Sequence, residues 1–216
     1  MACLPSVQLS LAAQRGSGCP FTGRTTPPAH CGPSTTGRNY DGRVPAAALI
    51  LSQSTLFGTA SGGGNSGIGT VFRLNTDGTG FTNLHNFSGS LITNTDGGSP
   101  LAALILSNNT LYGTTSWGGT SGSGTVFRVN TDGSGFTTMH NFANNDGANP
   151  EAALILSGNT LVGTTKSGGS AGNGTLFTIR LDGTFFTTVH QFSRLYGLLI
   201  PLMVLFLTMR EPIQTE

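Results

Sequence analysis

The strongest constraint on this chain is a pattern that it states three times. Leu56 to Phe87 reads LFGTASGGGNSGIGTVFRLNTDGTGFTNLHNF, Leu111 to Phe142 reads LYGTTSWGGTSGSGTVFRVNTDGSGFTTMHNF, and Leu161 to Phe192 reads LVGTTKSGGSAGNGTLFTIRLDGTFFTTVHQF. A matching apolar stretch (AAALILS, LAALILS or EAALILS) leads into each. Equivalent residues such as His85, His140 and His190 are separated by 55 and then 50 residues, and the five extra ones fall in SGSLITNTDGG after Phe87. An insertion confined to one connection is what a modular array tolerates.

Within one unit the pattern predicts four strands and no helix. Ala102 to Ser107 is small and then continuously apolar, so it is expected to be a strand buried on both faces. Asn108-Asn109 predicts a two-residue hairpin turn, with Gly158-Asn159 in the same role one unit later. Thr110 to Ser116 is the second strand, and a connection carrying Gly118, Gly119, Gly122 and Gly124 follows it. Thr125 to Asn130 is the third strand, Asp132-Gly133 lies in the next turn, and Phe136 to Phe142 is the fourth. The expected fold is all-β: a β-propeller-like array of three four-stranded antiparallel blades, at residues 41–95, 96–145 and 146–192. A β-helix is the runner-up, but its rungs are shorter and lack two-residue hairpins. Closed propellers have about 4–8 blades, so three imply an open or incomplete array with apolar flanks at its ends. Either copies of the chain associate to complete the array, or the chain is a fragment of a longer repeat protein.

The motifs LYGTTSWGG, GTVFRVNTDGSGF and HNF, after a DG-x-x-P-x-A-A-L-I lead-in, resemble the GloVer tandem repeat of bacterial choice-of-anchor proteins. The resemblance spans roughly residues 41 to 192, with several motifs in order three times. It implies a secreted or surface-tethered repeat protein with no assigned activity. The family often ends in a sorting signal, whereas this chain ends SRLYGLLIPLMVLFLTMREPIQTE without a recognisable one.

The flanks read differently from the repeats. Residues 1–40 are rich in Pro, Gly, Ser, Thr and Arg with no acidic residue, and are expected to be a disordered leader. The composition faintly resembles an organellar transit peptide, which leaves targeting open. Cys3, Cys19 and Cys31 all lie there; their spacing matches no zinc ligand set, although Cys19 and Cys31 could pair under oxidising conditions. At the other end, residues 193–216 form an apolar tail whose run Leu195 to Leu207 is interrupted by Gly197 and Pro201. That run is short against the ~20 apolar residues of a spanning helix, so a membrane anchor is the disfavoured reading. Charged residues make up only 9%, the net charge is +1, and 33 residues are glycine. These values supply no electrostatic reason to expect nucleic acid.

The acid inventory speaks against catalysis. Asp41, Asp77, Asp96, Asp132, Asp146 and Asp182 are all the aspartates, and Gly follows every one. Asp-Gly is turn chemistry, whereas a glycosidase needs two positioned carboxylates and a hydrolytic metal site needs a ligand cluster. His85, His140 and His190 lie in successive fourth strands, too far apart to converge on one metal, so each is expected to hydrogen-bond within its own blade. Gly62 to Gly67 matches a dinucleotide glycine pattern but leads into a strand. Gly168 to Gly172 matches a nucleophile elbow but lacks the strand-to-helix turn. Asn130-Thr131-Asp132-Gly133 lacks the further carboxylates of a calcium loop, and the third unit has Arg180 in place of Asn130. Neither a metal nor a cofactor is expected.

Connections after strands two and four should share one rim, where the copies differ most. Trp117 stands where the others have Gly62 and Ser167, and Lys166 where they have Ser61 and Ser116. Trp117, Lys166, Asp96 and Asp146 are therefore the candidate ligand-binding residues. The expected function is a noncatalytic, extracellular or cell-surface module that binds carbohydrate or protein, or serves as surface architecture. The alternatives are a propeller-type hydrolase or lyase, and a fragment with no independent role.

Overall fold

The computed structural model describes residues 39–89 and 94–193, in which there are strands and turns but no helix. The leader through residue 38 with its three cysteines, the apolar run Leu195 to Leu207, and part of the first inter-unit connection lie outside the described residues. The first unit holds β1 (Ile50–Ser52), β2 (Thr55–Ala60), β3 (Thr70–Asn75) and β4 (Thr82–Asn86). The second holds β5 (Ile105–Ser107), β6 (Thr110–Thr115), β7 (Thr125–Asn130) and β8 (Thr137–Asn141). The third holds β9 (Ile155–Ser157), β10 (Thr160–Thr165), β11 (Thr175–Arg180) and β12 (Thr187–Gln191). Each unit is a separate antiparallel sheet with its strands in chain order. The architecture is an open array of three propeller-like blades.

Local chemistry explains the strands and the turns between them. Asn108 and Gly158 take positive φ at the first hairpin position, at 53° and 59°, as residues tolerant of the left-handed region should. Gly113 in β6 pairs with Phe127 in β7, and a Cβ there would stand 2.6 Å from the Phe127 ring and 2.8 Å from Leu104. Only glycine leaves room for the ring to lie across the strand, and Gly58 and Gly163 repeat the arrangement with Phe72 and Phe177. A bulge then separates Val126 from Phe127 in the pairing of β7 with β8, and the same shift recurs in the other units. The extra residue in the outer strand re-aims its side chains toward the next blade.

The first strand of each unit corrects the expectation from sequence. β5 covers only Ile105 to Ser107 and is half-buried, and β9 is exposed throughout. Ala102 and Leu104 are buried, yet they lie ahead of the strand. The Thr59 hydroxyl of the preceding blade donates to the Ala102 carbonyl at 3.1 Å. This segment serves the contact between blades rather than a ladder.

The core is likewise built between blades. One cluster joins Phe57, Val71, Leu84 and Phe87 of the first unit to Leu104, Leu111, Phe127 and Val129 of the second. Another joins Tyr112, Val126 and Phe142 of the second to Leu154, Leu161, Phe177 and Ile179 of the third. Each fully buried side chain of this size stabilises the fold by about 1.5–3 kcal/mol, so a single sheet without its neighbour would forfeit most of its core.

Candidate functional site

The residues that looked most like chemistry in the sequence form the joints between units. His85 Nε2 donates to Asp96 Oδ2 at 3.1 Å, and the Ser88 backbone N–H and hydroxyl both donate to the same carboxylate at 3.0 Å. The His85 ring also stacks on Phe136 of the second unit, with centroids 3.5 Å apart and planes 3° from parallel. His140 repeats this with Asp146 at 3.1 Å and Phe186 at 3.5 Å. Both aspartates open the following unit, so these histidines bond across the joint and not within their own blade, as the sequence reading had it. The rule that a donor bonds locally was overridden by the connection, which folds back against the preceding sheet.

Burial raises the Asp96 carboxyl, but the donors His85 and Ser88 outweigh it and hold it below the ordinary value of 3.8. Burial lowers the His140 imidazole below 6.5, against the opposing pull of Asp146. At neutral pH the ring is therefore uncharged and donates through Nε2. Asp96 and Asp146, two of the candidate ligand residues, are thus engaged in two successive joints.

Three other aspartates are turn residues in the strict sense. Asp77 Oδ1 accepts from the Thr79 N–H and hydroxyl at 2.9 and 2.7 Å, Asp132 from Ser134 at 2.8 and 2.6 Å, and Asp182 from Thr184 at 2.8 and 2.7 Å. The side-chain hydroxyl is the larger influence holding each carboxyl low, with the backbone N–H second. The third unit departs here in a coupled way. A Cβ on Gly80 or Gly135 would run into Asn75 or Asn130, at 2.6 and 2.9 Å. With Arg180 in place of that asparagine, Phe185 fits at the glycine position, and the guanidinium lies 3.9 Å from its ring centroid. Among the described residues no three His, Cys, Asp or Glu side chains group as metal ligands.

The shared rim is present. Bridges pair Arg43 with Gly62, Gly98 with Trp117, and Ala148 with Ser167, bringing each Asp-Gly lead-in against the Gly-rich connection of its own unit. Trp117 is half-buried, with its ring over Gly98, where a Cβ would stand 2.7 Å from it. Beside it lies a depression of about 600 Å³ lined by Asn94, Trp117, Thr120, Ser121 and neighbouring glycines. Lys166 is exposed and pairs with Glu151 at 3.0 Å. Asn141 Oδ1 accepts the Thr120 N–H at 3.1 Å and so fixes the loop, as Asn86 and Gln191 do in their units. The sequence reading passed over Asn94, whose amide bonds both the N–H and the carbonyl of Gly97. Its signal was the recurrence of Asn two residues before the lead-in aspartate, at Asn39, Asn94 and Asn144.

A family model, the Gloeobacter/Verrucomicrobia repeat, matches residues 90–200, just over half of the chain. The chain belongs to this repeat family. The GloVer resemblance of the sequence is thereby borne out, and the second and third units lie inside the matched stretch. No curated protein matches this member of the Gloeobacter/Verrucomicrobia repeat family. Among solved structures it is similar to a chain of a nidogen–laminin complex, with TM-score 0.47 and 17% identity over 69% of this chain and 49% of that one. It is also similar to the tricorn protease, with TM-score 0.40 and 11% identity over 66% of this chain and 12% of that one. The repeat protein therefore spans about half or less of the length of either.

Proposed function

We propose that this chain is a noncatalytic display module, secreted or held at the cell surface, whose rim takes up carbohydrate. The observation that carries the reading is the depression beside Trp117, where an indole, the Thr120 and Ser121 hydroxyls and a glycine-rich backbone meet. An aromatic face accepts the C–H face of a sugar while nearby hydroxyls and amides meet its own hydroxyls. The noncatalytic part is supported by the engagement of the acids. Asp96 and Asp146 each serve a different histidine, and Asp77, Asp132 and Asp182 each hold their own turn. A hydrolase or lyase that used Asp96 with Asp146 would have to release both from their joints.

Affinity electrophoresis through immobilised polysaccharides, together with a glycan array, tests the reading. Trp117→Ala should lower retention about tenfold, as loss of a stacking aromatic of ~1–3 kcal/mol implies, and leave the melting temperature within about 2 °C. Retention unchanged by the substitution would remove the rim as a sugar site, and selective capture of a protein partner would replace carbohydrate with protein. Polysaccharide cleavage abolished by Asp96→Asn or Asp146→Asn in a still-folded protein would establish the enzyme instead.

A further inference from the structure

The two internal joints use the same contacts, and the outward ends of the array carry the two halves of a third. On the third unit, His190 is exposed; among the described residues its ring meets only its own Phe192, edge-on, and no carboxylate is bonded to it. Val189 and Phe192 are 55% and 45% exposed, whereas Leu84, the counterpart of Val189 in the first unit, and Phe87 and Phe142, the counterparts of Phe192, are buried; Ile155 is 63% exposed where Ile50 and Ile105 are half-buried. On the first unit, Asp41 occupies the position of Asp96 and Asp146, and no described residue bonds its exposed carboxylate. Leu49 and Leu51 are 51% and 61% exposed, although Leu104 and Leu154, the counterparts of Leu49, are 4% and 3%.

The backbone repeats the complementarity. At the internal joints the Ser99 and Asn149 N–H groups donate to the carbonyls of Ile68 and Ser123, at 2.7 and 2.9 Å. Pro100 and Pro150 cover Gly69 and Gly124. Among the described residues the corresponding Val44 N–H and Asn173 carbonyl make no such bond, and Pro45 is exposed. Asn173 also has a buried Nδ2 with no partner among the described residues.

We infer that two copies of this chain join head to tail, the outward face of each third unit seating against the first unit of the other copy. His190 then donates to Asp41 of the second copy. A face that matches a different face of its own chain makes a heterologous contact, which closes only when the rotation is right. Two copies bring together six of the described blades, inside the propeller range of about 4–8, whereas three copies would exceed it, so the closed form built from these units is a dimer with two equal joints. Thr178 stands where Arg73 and Arg128 reach toward the next blade, so the new joint has one contact fewer than the internal ones. The inference does not depend on what the rim binds.

Light scattering on the full chain at tens of micromolar tests it, with Leu51→Asp marking the first face and Val189→Asp the last. The native chain should show twice the chain mass. Each variant alone should show a single chain with an unchanged far-ultraviolet spectrum. An equimolar mixture should regain the two-chain mass, held by one joint and at least tenfold weaker, because each variant retains the face that the other lacks. A native monomer would overturn the proposal. A dimer that the mixture fails to restore would make the contact isologous, and species heavier than two chains would rule out closure.

Discussion

The middle unit and the outer units have nearly the same sequence and very different surroundings. In the middle unit Leu111, Val126, Phe127, Val129 and Phe142 are completely buried, because a blade lies on either side. In the third unit Phe177 and Ile179 are equally buried on the side facing the second, while Val189 and Phe192 on the other side are exposed. Burial in this fold is therefore a property of the joint rather than of the blade. The residues that recur most faithfully (His, Asp and the two phenylalanines around them) are those that make the joint.

The sharpest way to break the comparison is to remove equivalent rings from the two environments. Phe87→Ala takes out a ring in edge contact with Phe127 and Phe136 and should cost about 3–5 kcal/mol in urea unfolding. Phe192→Ala removes its counterpart from an open face and should cost under about 1 kcal/mol in dilute solution, with a larger effect appearing only as chain concentration rises. Equal losses in dilute solution would mean that the outward face is covered within the chain.

A smaller effect separates the first unit from its neighbours. Thr115 and Thr165 bond to Thr125 and Thr175 at 2.8 and 2.9 Å, but the first unit has Ala60 at that position, and the buried Thr70 hydroxyl has no partner among the described residues. Ala60→Thr should restore the pair and stabilise the protein by about 1 kcal/mol, read as a rise in the urea midpoint.

The smallest effect is the pH response of the joint. Because the folded His140 is held below 6.5, its contribution is complete above that pH and is lost as the pH falls toward the folded value, where the unfolded chain binds the proton first. Urea midpoints should therefore decline gently below pH 6.5, and His140→Gln should flatten the decline. A second, steeper loss below about pH 4 should follow as Asp96 and the turn aspartates are protonated.

Much of the fold was legible because it rests on local chemistry. The third strand runs from Thr125 to Asn130 as the β-branched pattern indicates, and Asp132-Gly133 turns the chain through bonds only two residues long. The first strand was misjudged because apolar character does not say which neighbour a segment packs against, and the Ala102 carbonyl is taken by Thr59 of another blade. The joints were hidden for the same reason. His85 and Asp96 are separated by a connection of variable length, and Asp-Gly reads as a turn in every copy. The rim was foreseen from the alternation of strand direction, but the role of Asn94 shows only once its amide is seen closing on Gly97.

The central claim is that the histidine and lead-in aspartate of successive units hold the blades together. A double-mutant cycle of His85→Gln and Asp96→Asn, read by urea unfolding, tests it most directly. The account predicts a coupling of about 1–3 kcal/mol between the two positions. Strictly additive losses, or a variant of either residue as stable as the native protein, would contradict it.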